Sequence, residues 1–377
     1  MRSRNILLLI DSPNAARLNG ILRFAKEHRW HVMFENRRGH RPEGWRGDGV
    51  LTLLRDDPGQ RAFVRDLRRR RIPVVDLSET VKGVSLPRAT GDNAIIGKLA
   101  ADHFRERNFR HAAWFSSDWG AVQEARCDAF RAAWSEGPFR RWVWAESRNG
   151  RAHGDWPAFL SWLGECLRSA PKPLAVFAYS DFDAMRVLNA CGAVNLAVPE
   201  EVAILGVDDN PLICENQSVP LSSIRHDLET VGYDGAALLQ RLMDGQDLSA
   251  RTVRIPPRGI AARRSTDVMA VSDPTVRRAL DIIARRLTHP IGGAQIADAL
   301  GLSRVKLDRL FATVLGHSVG DEILRQRIAK AKLLLRNGED KLATVAAACG
   351  FCNAAYLVNR FKRETGQTPV AWKMRNG

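Results

Sequence analysis

The chain has 377 residues, 45% hydrophobic and 26% charged, with 57 Lys and Arg against 42 Asp and Glu for a net charge of +15. That length predicts two or three domains with real cores, and the composition excludes disordered, collagen-like and membrane-spanning classes. Six cysteines scattered over so long a chain argue against a disulfide framework, and the excess of positive charge points to an anionic partner such as nucleic acid.

The opening "MRSRNILLLID" has an apolar core of only Ile6 to Ile10 before a charge, which predicts a first strand of a cytoplasmic protein and no secretion signal. Short runs rich in Val, Ile, Leu and Phe then alternate with amphipathic stretches. Strands are expected at residues 6–10, 30–34, 49–53, 73–77, 112–115, 142–144, 174–178, 202–206 and 252–255, with helices such as 18–28, 61–71, 94–107, 123–134, 157–169 and 182–190 between them. That rhythm predicts parallel sheets covered on both faces, and so many strands split more readily into two lobes around a cleft than into one wide sheet.

Ligands of such folds bind beyond the carboxyl ends of the strands. The polar residues there are Asp11, Asp92 with Asn93, Ser180 with Asp181, and Asp208, Asp209 and Asn210 after "VAILGV". Carboxylates and amides in a cleft suit a polyhydroxyl ligand, because each takes one or two hydroxyl hydrogen bonds. Any one of them could instead be a helix N-cap; the clusters together favour a site.

The segment from "FAYSDFDAMRVL" through "VAILGVDDNPLI" and "PLSSIRHDLETVGYDGAALL" resembles the effector domain of the LacI/GalR sugar-responsive regulators, which share the periplasmic-binding-protein fold. The resemblance covers about residues 4–262. It implies that Asp208 of the "GVDD" turn, Arg126 four residues before Phe130, and Asp92 of the "GDN" turn contact a sugar, with Asp181 on the second wall of the cleft. Trp119 of "WFSSDWG" is an expected stacking face. The loop "IDSPNAARLNG" is shorter than the family's and lacks its usual Tyr and Gly. The helix-turn-helix that this family carries ahead of its first strand has no room here, so a DNA-reading element is expected elsewhere.

Pro256, Pro257, Gly259 and Pro274 punctuate the next stretch, and residues 263–272 are expected to be a linker between a sugar domain, 1–262, and a final domain, 273–377. The final domain holds 18 Lys and Arg against 9 Asp and Glu, a net +9, leaving +6 for the rest. Its pattern is helical throughout. Asp273 and Pro274 start a helix to about Leu287. A helix over 294–300, a turn at Gly301 and an N-cap at Ser303 make a helix-turn-helix. A long helix over 319–336 follows, and the pattern repeats through Gly350, a second helix from about Asn353 to Thr365, and a closing helix from Thr368 and Pro369.

The paired units, with "ACGF", "FKRETGQTPVAW" and "IAKAKLLL", resemble the AraC-type DNA-binding domain from Asp273 to Lys373. The resemblance places base-reading positions at Val305, Asp308 and Arg309, with Arg304 and Lys306 on phosphate, and in the second unit at Ala354, Ala355, Val358 and Asn359, with Arg360 gripping phosphate. Arg309 suits guanine and Asp308 cytosine, so the first unit is expected to supply most hydrogen-bonded readout of double-stranded DNA.

The whole order, a sugar domain, "RRSTD", "DPTVRRAL" and two helix-turn-helix units, resembles pentose-responsive regulators of this fused type. That implies D-xylose or a related pentose as effector, a homodimer and, for an activator, RNA polymerase as a partner.

No motif calls for a cofactor. Cys349 and Cys352 form a CxxC, but no second ligand pair accompanies it, and packing in a helix-turn-helix turn is the better reading than a metal site. Neither a P-loop, a G-x-S-x-G nor an H-E-x-x-H occurs, so an enzyme is not expected. The basic run Arg68 to Arg71 reads as a solvated helix end.

Overall fold

Aliphatic runs such as ILLL, LAVFA and VAILGV form the central strands of two six-stranded sheets in the first part of the chain. A computed structural model describes residues 3–10, 14–35, 42, 44–54, 58–81, 83–147, 155–248, 251–271, 273–336 and 341–376. It separates into two units, Met1–Ala270 and Val271–Gly377.

The chain enters the first lobe through β1 (Arg4–Leu9), α1 (Ala15–Glu27), β2 (Trp30–Glu35), β3 (Gly49–Thr52), α2 (Pro58–Arg69), β4 (Val74–Asp76) and β5 (Arg88–Gly91). It crosses to the second lobe at α3 (Asn93–Arg105) and continues through β6 (His111–Ser116), α4 (Ala121–Ala133), β7 (Phe139–Val143), α5 (Trp144–Ser147) and α6 (Trp156–Ser169). There follow β8 (Leu174–Ala178), α7 (Asp181–Ala193), β9 (Val202–Val207), α8 (Pro211–Cys214) and β10 (Ser222–Ile224). A second crossing leads back to α9 (Leu228–Met243) and β11 (Thr252–Ile255), and a third ends in β12 (Ile260–Ala261).

The first sheet runs β11-β5-β4-β3-β1-β2 and the second β12-β10-β9-β8-β6-β7, parallel throughout except where β12 joins β10. Every residue of β9 is buried, as expected of a central strand covered by helices on both faces. The two-lobed α/β reading therefore holds. Three strands escaped sequence reasoning: β5, β10 and β12 read RATG, SSI and IA, too short and too polar for an apolar-run signal. They exist because neighbouring strands satisfy their backbone, and each of them flanks a crossing. There Asp92 N–H donates to Ile255 O (2.8 Å), Arg225 N–H to Gly259 O (2.9 Å) and Arg258 N–H to Arg225 O (2.8 Å).

Residues 263–270, expected within a linker, pack on the second sheet. Arg264–Thr266 form a 3-10 turn in which Ser265 and Thr266 are fully buried. Ser265 Oγ donates to Ile204 O (2.6 Å) and accepts from Ser222 N–H (2.8 Å), and Arg263 pairs with Asp209 (2.7 Å). Small hydroxyl side chains, which look like loop residues in sequence, here complete the backbone pairing of β9 and β10.

The second unit is helical: α10 (Pro274–Arg286), α11 (Gly293–Ala299), α12 (Arg304–Leu315), α13 (Val319–Arg336), α14 (Leu342–Ala348), α15 (Ala354–Thr365) and α16 (Pro369–Asn376). Ile296, Ala297, Leu307 and Phe311 of the first helix pair are buried, as are Val345, Ala346, Leu357 and Phe361 of the second. The internal repeat is thus a repeated core. Gly301 and Gly350 end α11 and α14 with φ of +68° and +76°. At Gly350 a Cβ would also lie 2.3 Å from Leu287 O, so only glycine fits. The turn after Gly350 is one residue longer than its counterpart, because Asn353 replaces Ser303 as the N-cap, accepting from Tyr356 N–H as Ser303 does from Lys306 N–H.

Candidate functional site

Polar side chains from both lobes gather around the end of β9. Asp208 and Asp209 follow that strand with φ of +109° and +52°, conformations that side-chain-bearing residues rarely adopt. The turn presents Asp208 Oδ1 to His226 Nδ1 (3.2 Å) and points Asn210 N–H at Asp181 Oδ2 (2.7 Å). Asp181, at the start of α7, also accepts from Ser223 Oγ (2.6 Å). Burial, reinforced by the charge of Asp208, pushes the Asp181 carboxyl up to about 7 despite these hydrogen bonds.

Arg126 reaches the same place from α4. Its Nε and Nη2 donate to Asn93 Oδ1 (3.2 and 3.0 Å) and its Nη1 to Tyr179 O (2.6 Å), with the guanidinium 5.0 Å from the Tyr179 ring centroid. Burial lowers its pKa, opposed by Tyr179, Asp208 and Asp181. Asp181, Asp208 and Arg126 therefore form one electrostatic cluster. Asp92 is engaged locally, where its Oδ1 accepts from Ile95 N–H (3.0 Å) and caps α3 at the first crossing.

Sequence reasoning missed Arg17, Tyr179 and His226. Arg17 lies in the first turns of α1, with Asp208, Tyr179 and Asp76 all acting on it; burial nonetheless lowers its pKa. His226 lies in the second crossing, and a Cβ at Gly91 would stand 1.9 Å from its Nε2, so a glycine at the end of β5 makes room for the imidazole. Three buried polar atoms of the first unit near these strand ends have no hydrogen-bond partner: Arg17 Nε, His226 Nε2 and Thr52 Oγ1. The available signal was positional, since Arg17 follows the first strand and His226 ends "SSIRH". Trp119 has the Arg141 guanidinium 4.5 Å from its ring centroid, which covers one face of the expected stacking surface. Asp11 lies outside the described residues.

In the second unit, Arg304, Lys306 and Arg309 are exposed on α12 and Val305 is 69% exposed. Asp308 is half-buried, its Oδ1 accepting from Val319 N–H (3.3 Å) and its Oδ2 from Arg304 Nε (3.4 Å). On α15, Ala355 and Asn359 are exposed while Ala354, Val358 and Arg360 are half-buried. Arg360 has a buried Nε without a partner, and its guanidinium stands 5.8 Å from the Tyr356 ring, an exposed aromatic that sequence reasoning passed over. Each second helix thus presents donors from its solvent face, the geometry by which such helices address the major groove. Cys349 is buried, its thiol pushed up to about 11 by burial, and Cys352 is exposed. Among the described residues no three His, Cys, Asp or Glu side chains gather as a metal site, and no helix is long and apolar enough to cross a membrane.

Residues 101–266 match the model of a periplasmic binding protein-like domain and residues 296–375 that of a helix-turn-helix domain. The xylose operon regulatory protein of Haemophilus influenzae is 27% identical over 87% of this chain and 85% of its own length. That of Escherichia coli strain K12 is 26% identical over 93% and 90%. Among solved structures, a xylose-binding transcription activator, xylR, shares the fold over 100% of this chain and 99% of its own, with a TM-score of 0.61 and 23% identity. The first domain match runs through the buried 3-10 turn at Arg264–Thr266.

Proposed function

We propose that this chain, a homologue of the xylose operon regulatory proteins that joins a periplasmic binding protein-like domain to a helix-turn-helix domain, is a sugar-responsive, sequence-specific transcriptional regulator and not an enzyme. One observation carries the reading: buried Asp181, Arg126 and Asn93, with half-buried Asp208 and Arg17 beside them, gather at strand ends in the same chain as two helix-turn-helix units with basic, exposed second helices. The effector we assign is D-xylose or a related pentose. Asp208, Arg126 and Asp181 take its hydroxyls, and Asp92 offers the oxygen not used in capping α3.

Arg309 reads guanine bidentately, with Val305 making apolar contact and Arg304 and Lys306 on phosphate. Asp308 accepts from cytosine or, as its bonds to Val319 and Arg304 favour, orients Arg304. In the second unit Asn359 reads a base, Ala354, Ala355 and Val358 give apolar contact, and Arg360 holds phosphate. The working unit is a homodimer on two half-sites of double-stranded DNA, engaging RNA polymerase if it activates.

The coupling is a shift between open and closed sensor lobes, which an effector drives only by its different affinity for the two. Two measurements test this. A thermal-shift screen of pentoses, hexoses and polyols is expected to single out a pentose. A binding titration on selected DNA is expected to give a different affinity, or a different footprint, with and without that ligand at saturation. Identical DNA binding in both conditions removes the regulatory reading.

A further inference from the structure

Several exposed arginines of the first unit are held by carboxylates, among them Arg23 by Glu229, Arg141 by Glu146, Arg254 by Glu79 and Arg258 by Asp227. The helix α2 departs from this. Its inner side buries Gln60, Val64 and Leu67, while Arg61, Arg65, Arg68 and Arg69 recur at i, i+4, i+7 and i+8 along another side. Arg65, Arg68 and Arg69 are exposed, as is Arg71 just past the helix. The one acidic residue of α2, Asp66, takes both Arg69 (3.0 Å) and Arg70 (3.3 Å). Arg65, Arg68 and Arg71 have no carboxylate partner among the described residues. Cations in a last turn suit the helix dipole, which accounts for Arg68 and Arg69 but not for Arg61 and Arg65 further back. Like charges at i, i+4, as in Arg61 with Arg65 and Arg65 with Arg69, weaken a helix, so this face gains from an anionic partner.

We propose that the arginine face of α2 is a second DNA contact, which grips backbone phosphates of the duplex beyond the half-sites read by the helix-turn-helix units. The inference rests on the reading of the chain as a DNA-binding regulator and adds to it a contact made by the sensor unit. Duplex DNA carries one phosphate per about 1.7 Å of axis, so a row of exposed guanidiniums meets it without any demand on base sequence. The planar fork of arginine also suits a phosphate better than a point charge does. Reach is not limiting. A unit spanning Met1–Ala270 has a radius of gyration of about 18 Å, whereas 20 bp of flanking duplex extends about 70 Å.

The test uses the full chain and two duplexes built on the sequence that site selection yields. One ends at the half-sites; the other carries about 20 bp of unrelated sequence on each side, a length set by the spacing of duplex phosphates. Both are titrated over a range of salt with the wild type, with Arg65→Gln/Arg68→Gln/Arg69→Gln and with the same three positions changed to Lys. The wild type is expected to bind the flanked duplex about tenfold more tightly, with a logarithmic salt slope steeper by about two to three. The Gln variant is expected to lose that gain and its protection of the flanks from hydroxyl radical, and the Lys variant to keep most of both. Affinity for the short duplex is expected to be equal in all three proteins. No flank gain in the wild type, or a gain unchanged in the Gln variant, overturns the inference and leaves the regulator reading intact. Equal weakening of the Gln variant on both duplexes also overturns it, since the face then acts on the reader or the fold. A Gln variant that loses only recruitment of RNA polymerase gives the face to a protein partner and overturns the DNA contact. Failure of the wild type to bind even the short duplex removes the regulator reading and this inference together.

Discussion

Asp181 illustrates how a single side chain records its surroundings. Its carboxyl sits at about 7 in the folded chain, raised by burial and then by Asp208, against about 3.8 when free. Between those values the folded state binds more protons than the unfolded one, so stability falls as pH rises from about 4 to 7. Asp181→Asn is expected to flatten that slope, by an amount on the order of a few kcal/mol across the window, measurable as unfolding midpoints at pH 5 and pH 7.5. An unchanged slope would mean that Asp181 titrates normally. Gly350 is a second case, in which the demand comes from the backbone. Gly350→Ala places a methyl against Leu287 O at a positive φ and is expected to destabilise the second unit by about 1–3 kcal/mol, lowering DNA affinity while effector binding is kept. Asp181, Asp208 and Arg126 were legible because strand ends and a family motif mark them. Arg17 and His226 were not, since nothing local says that residues so far apart in sequence share one carboxylate.

Elements were legible in proportion to how local their causes are. Asp273, Ser303 and Asn353 cap α10, α12 and α15 from within three residues, and the structure shows each of those side-chain bonds. The short strands β5, β10 and β12 depend on partners far along the chain and were missed. The segment 263–270 was misjudged for the same reason, because its Ser and Thr hydroxyls matter only once β9 and β10 are beside them. Ser265→Ala would leave Ile204 O and Ser222 N–H buried without that partner. It is expected to cost about 1–3 kcal/mol, read as a lower denaturant midpoint for the first unit with the second unit unaffected.

For the chain as a whole, the charge is unevenly divided, +9 in residues 273–377 and +6 elsewhere. A basic reader binds DNA largely through phosphate, so affinity is expected to fall steeply with salt. Lys306→Ala should weaken binding to all sequences alike and reduce the logarithmic salt slope by about one, whereas Arg309→Ala should chiefly relax sequence preference at one base pair. Site selection on Arg309→Ala and Asn359→Ala separates the two helix-turn-helix units; a larger loss of preference in the Asn359 variant would reverse the roles assigned to them.

Domain order, helix caps, the repeated helix-turn-helix core and the basic character of the reader were all readable from residues near one another, because capping and apolar periodicity act over a few residues. The composition of the cleft was not. Three crossings between lobes bring Arg17, Asn93, Arg126, Asp181, Asp208 and His226 to one place, and their charges count against each other only there. Electrostatic balance depends on distance in space, which the folded topology sets and sequence separation does not.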